Sequence, residues 1–176
     1  MSWPLRDTEG ESRVSAADRG PTLEEPGNAS EERFAVAIRE HPTLGVVLLC
    51  DFNVGFKVPE MVKRRPCVVI SPKIASRPGL CTVVALSTDP PDPVMPYHRQ
   101  IDLRPQLPEP WDSDGVWVKG DMVNTVAFHR LDFFRTGKTA AGKRSYLYTP
   151  LDGDTIKIIR GCVLRAMGLS GLTRHL

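Results

Sequence analysis

The eleven residues 63–73 carry the strongest structural signal in this sequence. They read Lys63-Arg64-Arg65-Pro66-Cys67-Val68-Val69-Ile70-Ser71-Pro72-Lys73. The run at 68–70 is short, continuous and β-branched, which is typical of a strand buried on both faces of a sheet. Pro66 is tolerated at the first residue of a strand, and it restricts Arg65 to an extended backbone. The stretch therefore predicts a buried strand over 67–71 with arginines fixed at its mouth.

Several other short strands are predicted on either side of this one. They are separated by turns rich in Gly and Pro, and they cover residues 44–52, 80–86, 97–103, 116–119, 122–129 and 146–148. Residues 53–64 are predicted to form a long loop, and residues 133–144 an exposed insertion. This pattern indicates a small antiparallel barrel.

The chain is predicted to end in a helix over about 152–168. Asp152 is a suitable N-cap and Gly168 suits the position after the last turn. Ile156, Ile159, Val163 and Met167 recur at steps of three and four residues, so the helix has one apolar stripe for packing on the barrel. The predicted fold class is mainly β, a barrel domain over 44–176 with a C-terminal helix.

Residues 1–43 differ in composition from the rest. They hold five arginines against nine acidic residues, which leaves 18 basic and 12 acidic residues in the body. Residues 1–30 have few large apolar groups, so we predict an acidic, mostly disordered extension, with a short helix over 30–40. The basic body is compatible with a phosphate-rich partner.

Composition also indicates the compartment. The N-terminus has no apolar signal region, and the longest apolar run, 44–50, is too short to cross a bilayer. The four cysteines show no CxxC spacing. Buried thiols in a reducing cytosol explain them best, although disulfides remain an open alternative. We expect a cytoplasmic protein with no membrane anchor.

The order of motifs resembles the MazF/PemK (Kid-like) family of toxins from type II toxin–antitoxin systems. The resemblance covers roughly residues 44–170. The matching pieces are Asp51-Phe52, the loop glycine Gly55, Arg65-Pro66-Cys67-Val68-Val69-Ile70-Ser71, Val83-Val84-Ala85-Leu86-Ser87-Thr88 and Lys119-Gly120-Asp121-Met122-Val123-Asn124-Thr125-Val126. It implies an SH3-like barrel, a homodimer and metal-independent cleavage of single-stranded RNA. It also implies inhibition by a cognate antitoxin, and contact with operator DNA through the antitoxin complex.

Three catalytic residues follow from the resemblance by position. Arg65 matches an arginine that acts at the scissile phosphate, Ser87 stands where many members have a threonine, and Asp121 matches a proton acceptor. The chemistry is consistent, because cleavage through the 2′-OH needs a proton acceptor, donors for the developing charge and an acid for the leaving oxygen. No cofactor is expected, and no clustered ligand set for a metal is visible in the sequence.

A wider set of residues is expected to bind the RNA: Lys119, Thr88, Arg64, Lys57, Phe56 and His129. Phe56 lies in a basic loop where a base can stack on it, but core packing explains it equally well. Turn formation explains Ser87, Thr88 and Asp121 nearly as well as catalysis does. His129 is a lone histidine at a strand end, and such residues are more often structural.

The sequence departs from the family pattern at several positions. Ser87 replaces a threonine, Lys119 an arginine, Ala85 a proline, Met122 a glutamine and Phe56 a histidine found in some members. A second hypothesis therefore stays open, that of a catalytically impaired SH3-like module that binds RNA or a partner.

Overall fold

The computed structural model describes residues 38–176. Six strands form one antiparallel sheet in the spatial order β4-β5-β3-β2-β1-β6, and two more form a separate ribbon. The strands are β1 (Val47–Asp51), β2 (Arg64–Val69), β3 (Leu80–Ser87), β4 (His98–Ile101), β5 (Val116–Ala127), β6 (Leu131–Phe133), β7 (Arg135–Lys138) and β8 (Arg144–Tyr146). Helix α1 (Gly153–Ala166) follows, with 3₁₀ turns at Phe128–Arg130 and Ser170–His175. The predicted mainly-β fold with a C-terminal helix is confirmed.

The predicted N-terminal extension, 1–43, and its helix over 30–40 lie mostly outside the described residues. Of the predicted helix only residues 38–40 are described, and they are not helical.

Both faces of the sheet are buried at its centre. Val68 and Val69 are adjacent and have no exposed surface, yet they belong to different apolar clusters. The helix-side core joins one sheet face to α1 and contains Val47, Val68, Val84, Leu86, Val118, Ile156 and Ile159. The inner core lies on the other face and contains Leu48, Cys50, Phe52, Cys67, Val69, Cys81, Val83 and Val126. The prediction of a strand buried on both faces is thus confirmed.

The four cysteines are buried and free of disulfides, as predicted. Burial raises the pKa of Cys81 to about 12 and also raises the pKa of Cys67 and of Cys162. These three thiols therefore stay protonated, and all four cysteines serve as small apolar side chains.

Both ends of α1 form as its sequence predicts. The Asp152 carboxylate accepts a 2.8 Å hydrogen bond from the Thr155 N–H, and hydrogen bonds to Thr155 hold the pKa of Asp152 below its usual value. Gly168 has a φ of +75°, and the Leu169 N–H donates back to the Leu164 carbonyl, which closes the last turn. The predicted apolar stripe is wrong at Met167, which is 58% exposed because the helix ends at Ala166.

The start of β2 differs from the prediction in a way that moves the arginines. β2 begins at Arg64, three residues earlier than predicted, because its ladder with β1 continues to Asp51. Pro66 is tolerated inside the strand because the ladder with β3 begins only at Cys67. The arginines consequently form the first two residues of the strand.

Two further predictions need correction. The segments at 116–119 and 122–129 form one strand, β5, because β4 pairs with its first part and β3 pairs with it on both sides of an irregularity. The predicted insertion at 133–144 contains β7, which pairs with β8 and so satisfies its backbone groups.

Candidate active site

The register between β2 and β3 places two of the predicted catalytic residues opposite each other. Cys67 pairs with Ala85 at the end of the ladder. Continuing that register by two residues places Arg65 opposite Ser87, on the same face of the sheet. Directly opposed residues have Cβ atoms about 5 Å apart, so Arg65 and Ser87 are neighbours although 22 positions separate them.

Both side chains converge on Asp89, which the sequence analysis did not single out. Arg65 Nη1 lies 3.8 Å from Asp89 Oδ2, and the Asp89 N–H donates a 3.2 Å hydrogen bond to Ser87 Oγ. The Asp89 side chain is 77% exposed, whereas Ser87 is buried. An exposed ion pair of this kind is weak, so an incoming phosphate can displace the carboxylate from Arg65. Thr88, which lies between Ser87 and Asp89 in the sequence, is exposed.

Strands β4 and β5 extend this face beyond Ser87. Ser87 pairs with Trp117, which pairs in turn with Gln100, and Lys119 pairs with His98. Paired residues share a face, so one surface carries Arg65, Ser87, Gln100, Trp117, Lys119 and His98; we call it the polar face.

Trp117 and His98 are two members of the polar face that sequence reasoning missed. The alternation of the strand could have identified Trp117. Val116 and Val118 are core residues, so Trp117 and Lys119 lie on the opposite face of β5. Trp117 is half-buried, which leaves part of its ring available for stacking on an RNA base.

A wide bulge in β5 sets the position of Asp121. Leu86 pairs with Val118 and Val84 with Val123, so residues 119–122 lie opposite Ala85 alone. Gly120 is required within this bulge, because a Cβ there would lie 2.6 Å from the Cys162 carbonyl carbon of α1. The bulge leaves the Asp121 side chain 37% exposed.

Asp121 is held by His98 instead of by Arg65 or Ser87. His98 Nε2 lies 3.2 Å from Asp121 Oδ1, and the Met95 N–H donates a 3.1 Å hydrogen bond to His98 Nδ1. Within residues 38–176, no hydrogen bond or ion pair joins Asp121 to Arg65 or Ser87. The described contacts therefore tie Asp121 to β4 and leave it separate from the Arg65–Ser87 pair.

Arg64 lies on the opposite face of β2 from Arg65. Its Nη2 is 3.6 Å from Asp132 Oδ2 on β6, beyond β1. Burial raises the pKa of Asp132, and the charge of Arg64 partly offsets that rise. The structure therefore ties Arg64 to a half-buried carboxylate and does not bring it to the polar face.

Replacing Arg64 with methionine should lower the free energy of unfolding at pH 7 by about 1–2 kcal/mol, because a half-buried carboxylate loses its counter-charge. Without Arg64 the pKa of Asp132 in the folded state rises further above its unfolded value, about 3.9. The folded variant then binds this proton more tightly than the unfolded chain does, so its stability falls as pH rises through that interval. Urea titrations should show a small difference from wild type near pH 3 and the full difference at pH 7.

Lys157→Met is the matched control for this prediction. Lys157 lies 3.5 Å from Asp154, but both side chains are exposed, so little change is expected at any pH. A loss in Arg64→Met that is equal at acidic and neutral pH would contradict the role given to Asp132.

The remaining residues predicted to bind RNA lie in three different environments. The Phe56 ring packs edge-on against Phe52 with centroids 5.1 Å apart, and the Arg130 guanidinium lies 5.3 Å from its centroid. Lys57 is exposed in the same loop, seven residues before the start of β2. His129 is exposed just beyond Ala127, which pairs with Leu80; it is thus about 20 Å along β3 from Ser87. The structure does not bring Phe56 or His129 to the polar face.

Within residues 38–176, no group of three or more His, Cys, Asp or Glu side chains is arranged to hold a metal ion. Over the same residues, every helix is too short or too polar to cross a membrane.

Comparison with known proteins decides the family. A model of the PemK-like, MazF-like toxins of type II toxin–antitoxin systems matches residues 44–144, more than half of the chain. This chain belongs to that toxin family. The match includes the whole Arg65–Ser87 pair and the Lys119-Gly120-Asp121 bulge, and it ends before α1.

Two solved structures are among those to which the chain is similar. One is an endoribonuclease in complex with its cognate antitoxin from a mycobacterial species, 18% identical, with a TM-score of 0.46; the alignment covers 73% of this chain and 97% of that one. The other is MazF from Deinococcus radiodurans, also 18% identical with a TM-score of 0.46, covering 72% of this chain and 96% of that one. No curated protein sequence matches the chain.

Proposed function

We propose that this toxin is a metal-independent endoribonuclease that cleaves single-stranded RNA on its polar face. The observation that carries the proposal is that Arg65 and Ser87 both contact Asp89, Arg65 through its guanidinium and Ser87 through its hydroxyl. A guanidinium beside a hydroxyl, on an open face that also carries a tryptophan and a lysine, suits the binding of a nucleic-acid phosphate. Membership of the toxin family supports the same activity.

The proposed reaction uses groups of the polar face together with Asp121 on the β5 bulge. Asp121 accepts the proton of the RNA 2′-OH, whose oxygen attacks the adjacent phosphorus. Arg65 releases Asp89 and donates two hydrogen bonds to phosphate oxygens, and Ser87 Oγ donates another. Lys119 balances the charge and donates a proton to the leaving 5′ oxygen. The P–O5′ bond breaks, giving a 2′,3′-cyclic phosphate on one fragment and a 5′-OH on the other.

Other groups serve to bind the strand. Trp117 stacks on a base next to the scissile phosphate, and Thr88 and Lys57 contact the backbone. The toxin acts in the cytoplasm as a homodimer and is inhibited by a cognate antitoxin. It contacts operator DNA through the antitoxin complex. Support for these partners comes from family membership.

The direct test is incubation of the purified full chain with single-stranded RNA in the presence of a chelator. We expect cleavage that the chelator does not inhibit, with products ending in 2′,3′-cyclic phosphate and 5′-OH. A double-stranded RNA of the same sequence is the control and should be cut poorly, because its bases are not available to Trp117. RNA that is bound but stays intact under all conditions would overturn the proposal and favour a non-catalytic binding module.

A further inference from the structure

We propose that His98 is a positioning residue of this site, which holds the Asp121 carboxylate in the orientation that accepts the 2′-OH proton. The inference rests on the proposed function and adds a residue that belongs to none of the sequence motifs. It is drawn from one juxtaposition, in which a nearly buried histidine on β4 contacts an exposed aspartate on the β5 bulge.

The hydrogen bonds of His98 define which ring nitrogen carries the proton. The Met95 N–H donates to Nδ1 over 3.1 Å. A backbone N–H only donates, so Nδ1 has to be an acceptor and is unprotonated. The proton of the neutral ring is then on Nε2, which donates to Asp121 Oδ1 over 3.2 Å. His98 is thereby held as a neutral hydrogen-bond donor to the carboxylate.

The same contacts prevent His98 from acting on RNA itself. Its side chain is only 7% exposed, its ring packs edge-on against Tyr97 with centroids 4.6 Å apart, and both ring nitrogens are engaged. Any effect of His98 on RNA cleavage therefore passes through Asp121.

Asp121 needs a hydrogen-bond partner that fixes its orientation, because it lies in an irregular and exposed segment. It belongs to the bulge at 119–122, which has left the ladder with β3, and its side chain is 37% exposed. A carboxylate in that situation samples several rotamers, and only some direct an oxygen to a substrate hydroxyl. The bond to His98 engages Oδ1, while Oδ2 makes no hydrogen bond within the described residues and is available to the substrate. A neutral donor also orients the carboxylate without placing a full positive charge beside it.

The experiment measures kcat/KM for cleavage of single-stranded RNA by the full chain and three variants of His98. His98→Ala should lose about 100-fold, because the proton acceptor is no longer oriented. His98→Gln should recover most of the activity, since its amide nitrogen reaches the place of Nε2 and donates to Asp121. His98→Asn keeps an acceptor near the place of Nδ1 but is too short to reach Asp121, so it should resemble the alanine variant.

A double-mutant cycle with Asp121→Asn separates positioning from a general loss of folding. If His98 acts through Asp121, His98→Ala should cause no further loss in the Asp121→Asn background. His175→Gln is the matched control, because His175 is exposed in the last turn and, among residues 38–176, its side chain hydrogen-bonds only with Arg174; its activity should equal wild type.

The outcomes distinguish this inference from the function on which it rests. Wild-type cleavage that requires Arg65 but is unchanged in His98→Ala overturns the inference and leaves the proposed function standing. Equal losses in the glutamine and asparagine variants, or additive losses with Asp121→Asn, also overturn it. A wild-type protein that leaves RNA intact overturns both. If His98→Ala does not fold, the contrast between the glutamine and asparagine variants decides the question.

Discussion

Arg65→Ala is expected to lower kcat/KM for RNA cleavage by about 10³-fold, because it removes the donors that bind the phosphate as charge develops on it. The expected size follows from the site, because among residues 38–176 the one ion-pair partner of the Arg65 guanidinium is Asp89, an exposed carboxylate. Asp89 is displaced easily, so the hydrogen-bond donors and the charge of Arg65 are available to the substrate phosphate. The measurement is the cleavage rate of a single-stranded RNA under single-turnover conditions.

Two further variants show which property of Arg65 matters. Arg65→Lys keeps the charge but loses the planar pair of donors, so it should retain only a small part of the activity. Arg144→Ala removes an exposed arginine from the β7–β8 ribbon, away from the polar face, and should cleave RNA like wild type. Activity in Arg65→Ala within a few-fold of wild type, with the fold intact by circular dichroism, would exclude Arg65 from the chemistry.

Gly120→Ala is expected to cause the largest loss of stability of any single methyl addition considered, about 3 kcal/mol or more. The new Cβ would lie 2.6 Å from the Cys162 carbonyl carbon, 2.7 Å from its oxygen and 2.8 Å from the Tyr97 oxygen. All three are backbone atoms, so no side-chain rotation relieves the contact. Either α1 moves away from the sheet or the β5 bulge is displaced.

The loss should be measured by urea or thermal unfolding against Gly153→Ala. A Cβ at Gly153 meets no atom within 4 Å at the start of α1, so that control should change little. Because the bulge carries Asp121, the Gly120→Ala protein that remains folded should also cut RNA more slowly. A variant as stable as wild type would contradict the close approach of the helix to the sheet.

Local sequence patterns predicted the elements of this protein that depend on near neighbours. The β-branched run at 68–70 gave a strand buried on both faces, and Asp152 and Gly168 marked the ends of α1. The motif around Arg65 gave the family. In each case the interactions that form the element span only a few residues, so the sequence displays them directly.

Tertiary structure decided which side chains meet, because strand pairing brings together residues that are distant in the sequence. The sequence predicted both arginines together at the mouth of a strand, but the ladder with β1 includes Arg64 and Arg65 in β2, where alternation places them on opposite faces. Trp117 and His98 joined the polar face only through the registers of β5 with β3 and β4. The bulge that places Asp121 against His98 lies where α1 closely approaches Gly120. That approach joins segments that are distant in the sequence, so no short stretch of sequence predicts it.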